Sequence, residues 1–216
     1  MKRWCTYLAA FFLALWLMLI AFFSVGLNDE VYCLAQLRAG VTPENSGLSP
    51  EEWRSIDRQT AMFLARRGSM PDGLSENGQT HMTDVRRLFS AARGVMIASL
   101  FLAAALYLLG GRGLRSFRRA YAACTLFAFG LLLTVSLIGT DRFERLFSAF
   151  HSAVFSNRYW LMNPETDAII RVMPIAFFEN MALYTLILAS FLWLVGGLLL
   201  AVAGKRRKSY DENRTE

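Results

Sequence analysis

The chain has 216 residues, of which 55% are hydrophobic, and a mean hydropathy of +0.34, so it is too apolar for an ordinary soluble domain. Its net charge of +6 is concentrated in short segments beside long apolar runs, which disfavours a nucleic-acid-binding protein. These properties indicate an integral membrane protein.

Four stretches are long and apolar enough to cross a bilayer, which requires about 20 residues each. They cover residues 7–27, 89–109, 121–138 and 182–203. The first follows Lys2 and Arg3, as a signal peptide would, but its apolar part is too long and no clean cleavage site follows it. We therefore interpret it as an uncleaved anchor. Arg93 lies in the first turn of the second stretch, from where its side chain can extend to the interface.

The basic residues predict the orientation of these spans. They lie before the first span, in the link between the second and third spans, and after the fourth span. These residues are Lys2, Arg3, Arg112, Arg115, Arg118, Arg119, Lys205, Arg206, Arg207 and Lys208. The other two loops are slightly acidic, with nine acids against eight arginines in 28–93 and five against four in 140–181. By the positive-inside rule both termini are cytoplasmic.

These spans predict the fold class. We expect an all-α integral membrane protein, a four-transmembrane-helix bundle with a small helical extracellular cap. Residues 1–216 form a single membrane domain, and the loops 28–88 and 140–181 supply the cap.

The first outer loop contains a well-marked amphipathic helix. Ser49, Pro50 and Glu52 provide an N-cap, a proline at the first helical position and a capping-box glutamate. Trp53 and the apolar residues after it recur on one face, and the helix is expected to end at Gly68.

The chain's two histidines each lie where an outer loop re-enters the membrane. A helical pattern begins at His81 and continues into the second span, with Asp84 on the same face and able to hydrogen-bond the imidazole. An interfacial helix over 142–155 carries His151 on its apolar face, among many aromatic residues.

Imidazole exchanges protons near neutral pH, so two histidines in an aromatic-lined site could serve as base and acid for acyl transfer between lipid-borne groups. Other interpretations remain open: amphipathic packing of each histidine, bis-histidine haem ligation, or a zinc site completed by Asp84 or Glu76. No HxxxH-type spacing favours zinc, and no serine lies in a GxSxG motif, so a serine hydrolase is disfavoured.

Two segments resemble signatures of a bacterial four-span membrane family, that of the lipoprotein intramolecular transacylase, Lit. One is His81-Met82-Thr83-Asp84-Val85-Arg86, and the other is Phe150-His151 with Phe155, Asn157, Trp160, Asp167, Pro174 and Phe177-Phe178. The resemblance covers the whole architecture, including the large first outer loop.

The resemblance implies acyl transfer on diacylglyceryl-modified bacterial lipoproteins. The sn-2 acyl chain moves from glycerol to the α-amino group of the N-terminal cysteine and gives the lyso-form lipoprotein, with no cofactor and no metal. The catalytic residues would be His81 and His151, one acting as base and the other as acid. The remaining matched residues are candidates for orienting these histidines or lining the pocket: Asp84, Phe150, Phe155, Asn157, Trp160, Asp167 and Phe178.

The same resemblance places the protein in the bacterial cell membrane as a multi-pass protein. Its active site would face the extracellular side, and membrane lipid and lipoproteins, but not nucleic acid, would be its partners. The competing interpretation is a non-catalytic membrane accessory or scaffold protein, which would tolerate His81→Ala and His151→Ala.

Overall fold

The computed structural model describes residues 2–110, 113–137 and 140–213. Within these ranges the chain is helical and contains no strand, which confirms the expected all-α class. In chain order the helices are α1 (Lys2–Gly26), α2 (Asp29–Arg38), α3 (Pro43–Ser46), α4 (Pro50–Leu64), α5 (Glu76–Gly110), α6 (Leu114–Ser136), α7 (Thr140–Val154), α8 (Ala168–Val172) and α9 (Ile175–Asn213).

The helices form two compact units. The first unit comprises Met1–Phe22, Arg93–Leu133 and Leu186–Glu216, and the second comprises Phe23–Ala92 and Thr134–Thr185. Helices α1, α5, α6 and α9 each contribute residues to both units.

Among the described residues, three helical segments are long and apolar enough to cross a membrane: Arg3–Gly26, Glu76–Gly110 and Ile175–Lys205. They contain the predicted spans 89–109 and 182–203 and all of the predicted span 7–27 except its last residue. The predicted span 121–138 falls on α6, and its last residue lies outside the described residues. The four-span count therefore stays a prediction.

Small residues allow the helices of the first unit to pack closely. Ala9, Ala10 and Ala189 are fully buried. Two buried hydrogen bonds also join helices: Tyr121 Oη donates to the Trp193 carbonyl at 3.0 Å, and Trp193 Nε1 donates to the Ala14 carbonyl at 3.0 Å. Since both donors would be costly to bury unpaired, these bonds specify how α1, α6 and α9 pack.

The second unit has an apolar core built around α4. Trp53, Ile56, Phe63 and Leu64 of α4 pack in one cluster that also includes Val172 of α8. The apolar face predicted from the spacing of these residues is therefore the buried face.

The start of α4 matches the predicted capping box. Ser49 Oγ accepts from the Glu52 N–H at 3.3 Å, and Glu52 Oε2 accepts from the Ser49 N–H at 2.8 Å. The helix ends at Leu64, so the predicted end at Gly68 was wrong. Arg66 adopts the left-handed conformation (φ 63°) that usually selects glycine, and the Arg67 N–H closes the turn on the Met62 carbonyl at 2.8 Å.

A buried carboxyl group lies between α2 and α4. Asp57 is 3% exposed, and its Oδ1 accepts from Gln36 Nε2 at 2.7 Å. Burial raises the pKa of Asp57 to about 7, and the nearby Asp29 adds to the rise, while the Gln36 hydrogen bond opposes it. Gln36 Oε1 is buried without a hydrogen-bond partner among the described residues.

We expect Asp57→Asn to raise stability most at about pH 8, and we expect this gain to shrink steadily as pH falls and to become small near pH 3.8. The pKa of Asp57 is higher in the folded protein than in the unfolded chain, so its protonation stabilises the fold as pH falls from above 7 towards 3.8. Asparagine is neutral throughout this range. Melting temperature against pH tests this, with exposed Glu51→Gln as the control, and parallel curves for wild type and Asp57→Asn would contradict it.

Candidate active site

His81 lies near the start of α5. Ser75 caps this helix, because its Oγ accepts from the Gly78 N–H at 3.1 Å and its carbonyl accepts from the Gln79 N–H at 2.9 Å. The helix therefore begins at Glu76 and not at His81, where the sequence pattern placed its start. His81 is fixed within regular helix and is 7% exposed.

His151 lies in the last turn of α7 and is 8% exposed. Its Nδ1 is 2.7 Å from the carbonyl oxygen of Phe147, one turn earlier. Since a carbonyl can only accept, Nδ1 carries the hydrogen and the neutral ring has its lone pair on Nε2. Burial lowers the pKa of His151, and the hydrogen bond to Phe147 offsets part of that effect.

The two imidazole rings lie side by side. Their centroids are 5.8 Å apart, and Phe155 packs against both, at 5.0 Å from His81 and 5.5 Å from His151. Two positive charges at this distance would repel each other, so the pair is expected to carry at most one positive charge near neutral pH. A histidine pair of this kind can exchange a proton with a bound reactant.

Aromatic rings surround His151 on several sides. Phe147 lies 4.0 Å away by ring centroid, Trp160 lies 5.1 Å away and Phe150 lies 5.5 Å away. Phe178 contacts Phe147 at 4.9 Å and so lies behind this first layer of rings. The predicted aromatic residues therefore come together around His151, with Phe178 one ring further out.

A hydrogen bond links the segments that carry the two histidines. Asn157, three residues beyond α7, donates from Nδ2 to Asp84 Oδ2 at 3.2 Å. The other Asp84 oxygen accepts from Arg87 at 3.0 Å. Among the described residues His81 Nδ1 has no hydrogen-bond partner, so the contact suggested between Asp84 and the imidazole is not made through that nitrogen.

Asp167 joins two loops of the second unit. Its Oδ1 accepts from the backbone N–H and the hydroxyl of Ser75, both at 2.8 Å, and its Oδ2 accepts from the Asn163 N–H at 3.3 Å and the Thr166 hydroxyl at 3.1 Å. Burial by itself raises the pKa of Asp167, but these hydrogen bonds hold it below its ordinary value. Both oxygens are thus used to hold the start of α5 beside the loop before α8.

The sequence did not reveal the acceptor for His151. The carbonyl of Phe147 belongs to the backbone, so no residue type marks it in the sequence. In helices, serine and threonine side chains are known to hydrogen-bond the carbonyl one turn earlier, and His151 makes the same kind of contact. No group of three His, Cys, Asp or Glu side chains within the described residues is placed to hold a metal ion.

The chain is all-α, three of its described helical segments are long and apolar enough to cross a membrane, and it buries a histidine pair among aromatic rings. These are the features of a membrane-integral protein. Residues 7–178 match the model of the family described as lipoprotein intramolecular transacylase Lit. The chain belongs to the Lit family.

Solved structures of the membrane-integral lipoprotein intramolecular transacylase Lit from Bacillus cereus share this fold. One aligns with a TM-score of 0.78 and 23% identity, covering 100% of this chain and 99% of that chain. A variant with a histidine-to-arginine substitution aligns at 0.77, with 23% identity and coverage of 97% and 95%. A histidine-to-alanine variant aligns at 0.72, with 23% identity and coverage of 100% and 96%.

A relative from Aquifex aeolicus (strain VF5), an uncharacterized protein, is 29% identical over 126 residues. The match covers 58% of this chain and spans about half (55%) of the length of that relative.

Proposed function

We propose that this protein is a lipoprotein intramolecular transacylase. It moves the sn-2 acyl chain of a diacylglyceryl-modified bacterial lipoprotein from glycerol to the α-amino group of the N-terminal cysteine, and the product is the lyso-form lipoprotein. The observation that carries this proposal is the pair of buried histidines, 5.8 Å apart, in a chain of the Lit family.

The reaction balances without water or cofactor. The α-amino nitrogen attacks the carbonyl carbon of the ester, a C–N bond forms, and the bond between that carbon and the glycerol oxygen breaks. The nitrogen loses one proton and the glycerol oxygen gains one, so the total mass is unchanged. An amine that enters as ammonium first releases one further proton to solvent. Nucleophile and ester belong to one molecule, so holding them in contact lowers the barrier considerably.

We assign His151 as the base. Its Nδ1 hydrogen bond to the Phe147 carbonyl leaves Nε2 as the free acceptor, and its lowered pKa favours the neutral ring near neutral pH. His81 then donates a proton to the departing glycerol oxygen, and the proton that His151 took from the amine passes to His81, so both rings end neutral. Two observations support this role: its ring adjoins that of His151, and its Nδ1 has no hydrogen-bond partner among the described residues.

The surrounding residues would hold the reactants and restrict water. Phe150, Phe155 and Trp160 offer apolar surface for the acyl chain beside the histidines, and Phe178 adds to it behind Phe147. Water in the site would hydrolyse the ester, so an apolar enclosure favours transfer to the amine. Asp84 and Asn157 would position the two histidine-bearing segments, while Asp167 would support them from the neighbouring loops.

The proposal includes a topology. We place four spans at 7–27, 89–109, 121–138 and 182–203 in the bacterial cell membrane, with both termini cytoplasmic. The cap formed by 28–88 and 140–181 then carries the active site on the extracellular side. The distribution of lysine and arginine supports this orientation.

Mass spectrometry of a lipoprotein's N-terminal peptide tests the reaction. The lipoprotein comes from a background that makes only the diacylglyceryl form, with and without this protein. We expect one acyl chain to move from glycerol to the amine at unchanged total mass. An unaltered peptide in the presence of folded, abundant protein would defeat the proposal and favour the accessory or scaffold role.

A further inference from the structure

The first unit contains a groove that the proposed reaction does not use. Side chains of α6 and α9 line it, and its volume is about 720 Å³, within the range of about 300–1,000 Å³ usual for sites that bind small molecules. At one end lie three arginines, Arg115, Arg118 and Arg119, and the rest of the wall is mainly apolar. The groove therefore has one cationic end and one long apolar wall.

The cationic end lacks nearby carboxylates in the sequence. Residues 1–22, 93–133 and 186–210, which make up almost all of the first unit, contain no Asp or Glu. Two ion pairs, Arg58 with Asp29 and Arg87 with Asp84, lie in the second unit. These segments of the first unit therefore offer the three arginines no carboxylate.

Local packing directs these charges towards the groove. A β-carbon placed on Gly204 of α9 would lie 2.9 Å from Arg118 Nη1, so this glycine leaves room for the guanidinium against α9. Lys205, the next residue in the sequence, is exposed. The arginines also lie in the first two turns of α6, where the helix dipole favours an anion and disfavours cations without one.

The dimensions of the apolar wall match half a bilayer. From Arg119 to Phe129 α6 rises about 15 Å, at about 1.5 Å per residue, which equals one leaflet of a hydrocarbon core of about 30 Å. Leu126, Leu194 and Leu198 line this wall and expose 70%, 62% and 58% of their surfaces. An acyl chain of that length would cover the exposed wall, and an anionic group attached to it would neutralise the arginines.

We propose that the groove binds an anionic phospholipid. Its phosphate contacts Arg115, Arg118 and Arg119, and an acyl chain lies along Phe129, Leu194 and Leu198. Basic pockets between membrane helices are recognised sites for anionic lipid head groups. A zwitterionic lipid brings its own cation to the site, so it compensates three arginines less well than a lipid with net negative charge.

Native mass spectrometry of the full chain in detergent tests this proposal, with phosphatidylglycerol and phosphatidylcholine of identical acyl chains as probes. We expect about tenfold or greater preference for phosphatidylglycerol, because each cation near an anionic lipid contributes a roughly additive attraction. The variant with Arg115→Gln, Arg118→Gln and Arg119→Gln should lose the preference. A matched control, Arg54→Gln, Arg67→Gln and Arg142→Gln on exposed positions of the second unit, should keep it.

A second variant examines the apolar wall without changing charge. A β-carbon on Gly197 would lie 3.8 Å from Tyr121, an ordinary contact, so Gly197→Leu can fold while its side chain fills part of the groove. We expect it to weaken retention of both lipids. Equal binding of the two lipids by wild type, an unchanged preference in the arginine variant, or equally strong stabilisation by inorganic phosphate would overturn the proposal. Binding is measured without acyl transfer, so the result is independent of the proposed reaction.

Discussion

We expect alanine at either His81 or His151 to lower the rate of acyl transfer strongly and to leave a folded protein. Positioned proton transfer contributes about 10²- to 10⁴-fold in rate, so each variant should fall by at least about 10²-fold. Because the two rings lie 5.8 Å apart and act on one proton, the double variant should be little worse than the poorer single one. Conversion of diacylglyceryl to lyso-form peptide, followed over time by mass spectrometry, measures these rates.

Controls separate loss of proton transfer from loss of packing. His81→Gln and His151→Gln retain bulk and polarity but do not titrate near neutral pH, so they should be as inactive as the alanine variants. Phe150→Leu removes a ring that contacts His151 at 5.5 Å while leaving both histidines, and should retain most activity. Normal product formation by the alanine variants would refute catalysis by the pair and favour a scaffold role.

The fold was largely predictable wherever local signals decide it. Ser49, Pro50 and Glu52 form their cap from residues three positions apart, and the structure has both hydrogen bonds of that box. The helix ends depended on backbone conformation, which residue type specifies only weakly. At the end of α4, Arg66 takes the left-handed position, so Gly68 was a misleading stop signal.

The candidate site was predictable in its residue types and less so in its contacts. A histidine on an apolar helix face and aromatic residues nearby in sequence placed His151 among rings. The hydrogen bond between Asn157 and Asp84 joins positions 73 residues apart, and the spacing of apolar residues in the sequence does not reveal contacts between such distant positions. Likewise, the carboxylate of Asp167 was expected to orient the histidines or line the pocket. It accepts hydrogen bonds from the hydroxyls of Ser75 and Thr166, which were not among the predicted site residues.

Asn157→Ala should lower the rate of acyl transfer by about tenfold, because a small misplacement of catalytic groups costs up to about 10²-fold. Asn157 Nδ2 donates to Asp84 Oδ2 at 3.2 Å and so ties the segment after His151 to the helix that carries His81. Asp84→Ala removes the same bond and should cost about as much, and the double variant should lose no more than either single one. Initial rates with the diacylglyceryl lipoprotein complete this double-mutant cycle.

Arg87→Ala is the matched control for that cycle. Arg87 contacts the other oxygen of Asp84 at 3.0 Å, but its side chain is 77% exposed and belongs to the same helix as Asp84. An exposed ion pair within one helix contributes little, so its removal should leave the rate within about twofold. Additive losses for Asp84→Ala and Asn157→Ala, or equal damage from Arg87→Ala, would mean that the carboxylate acts through its charge alone. The tie between the two histidine-bearing segments would then have no part in positioning them.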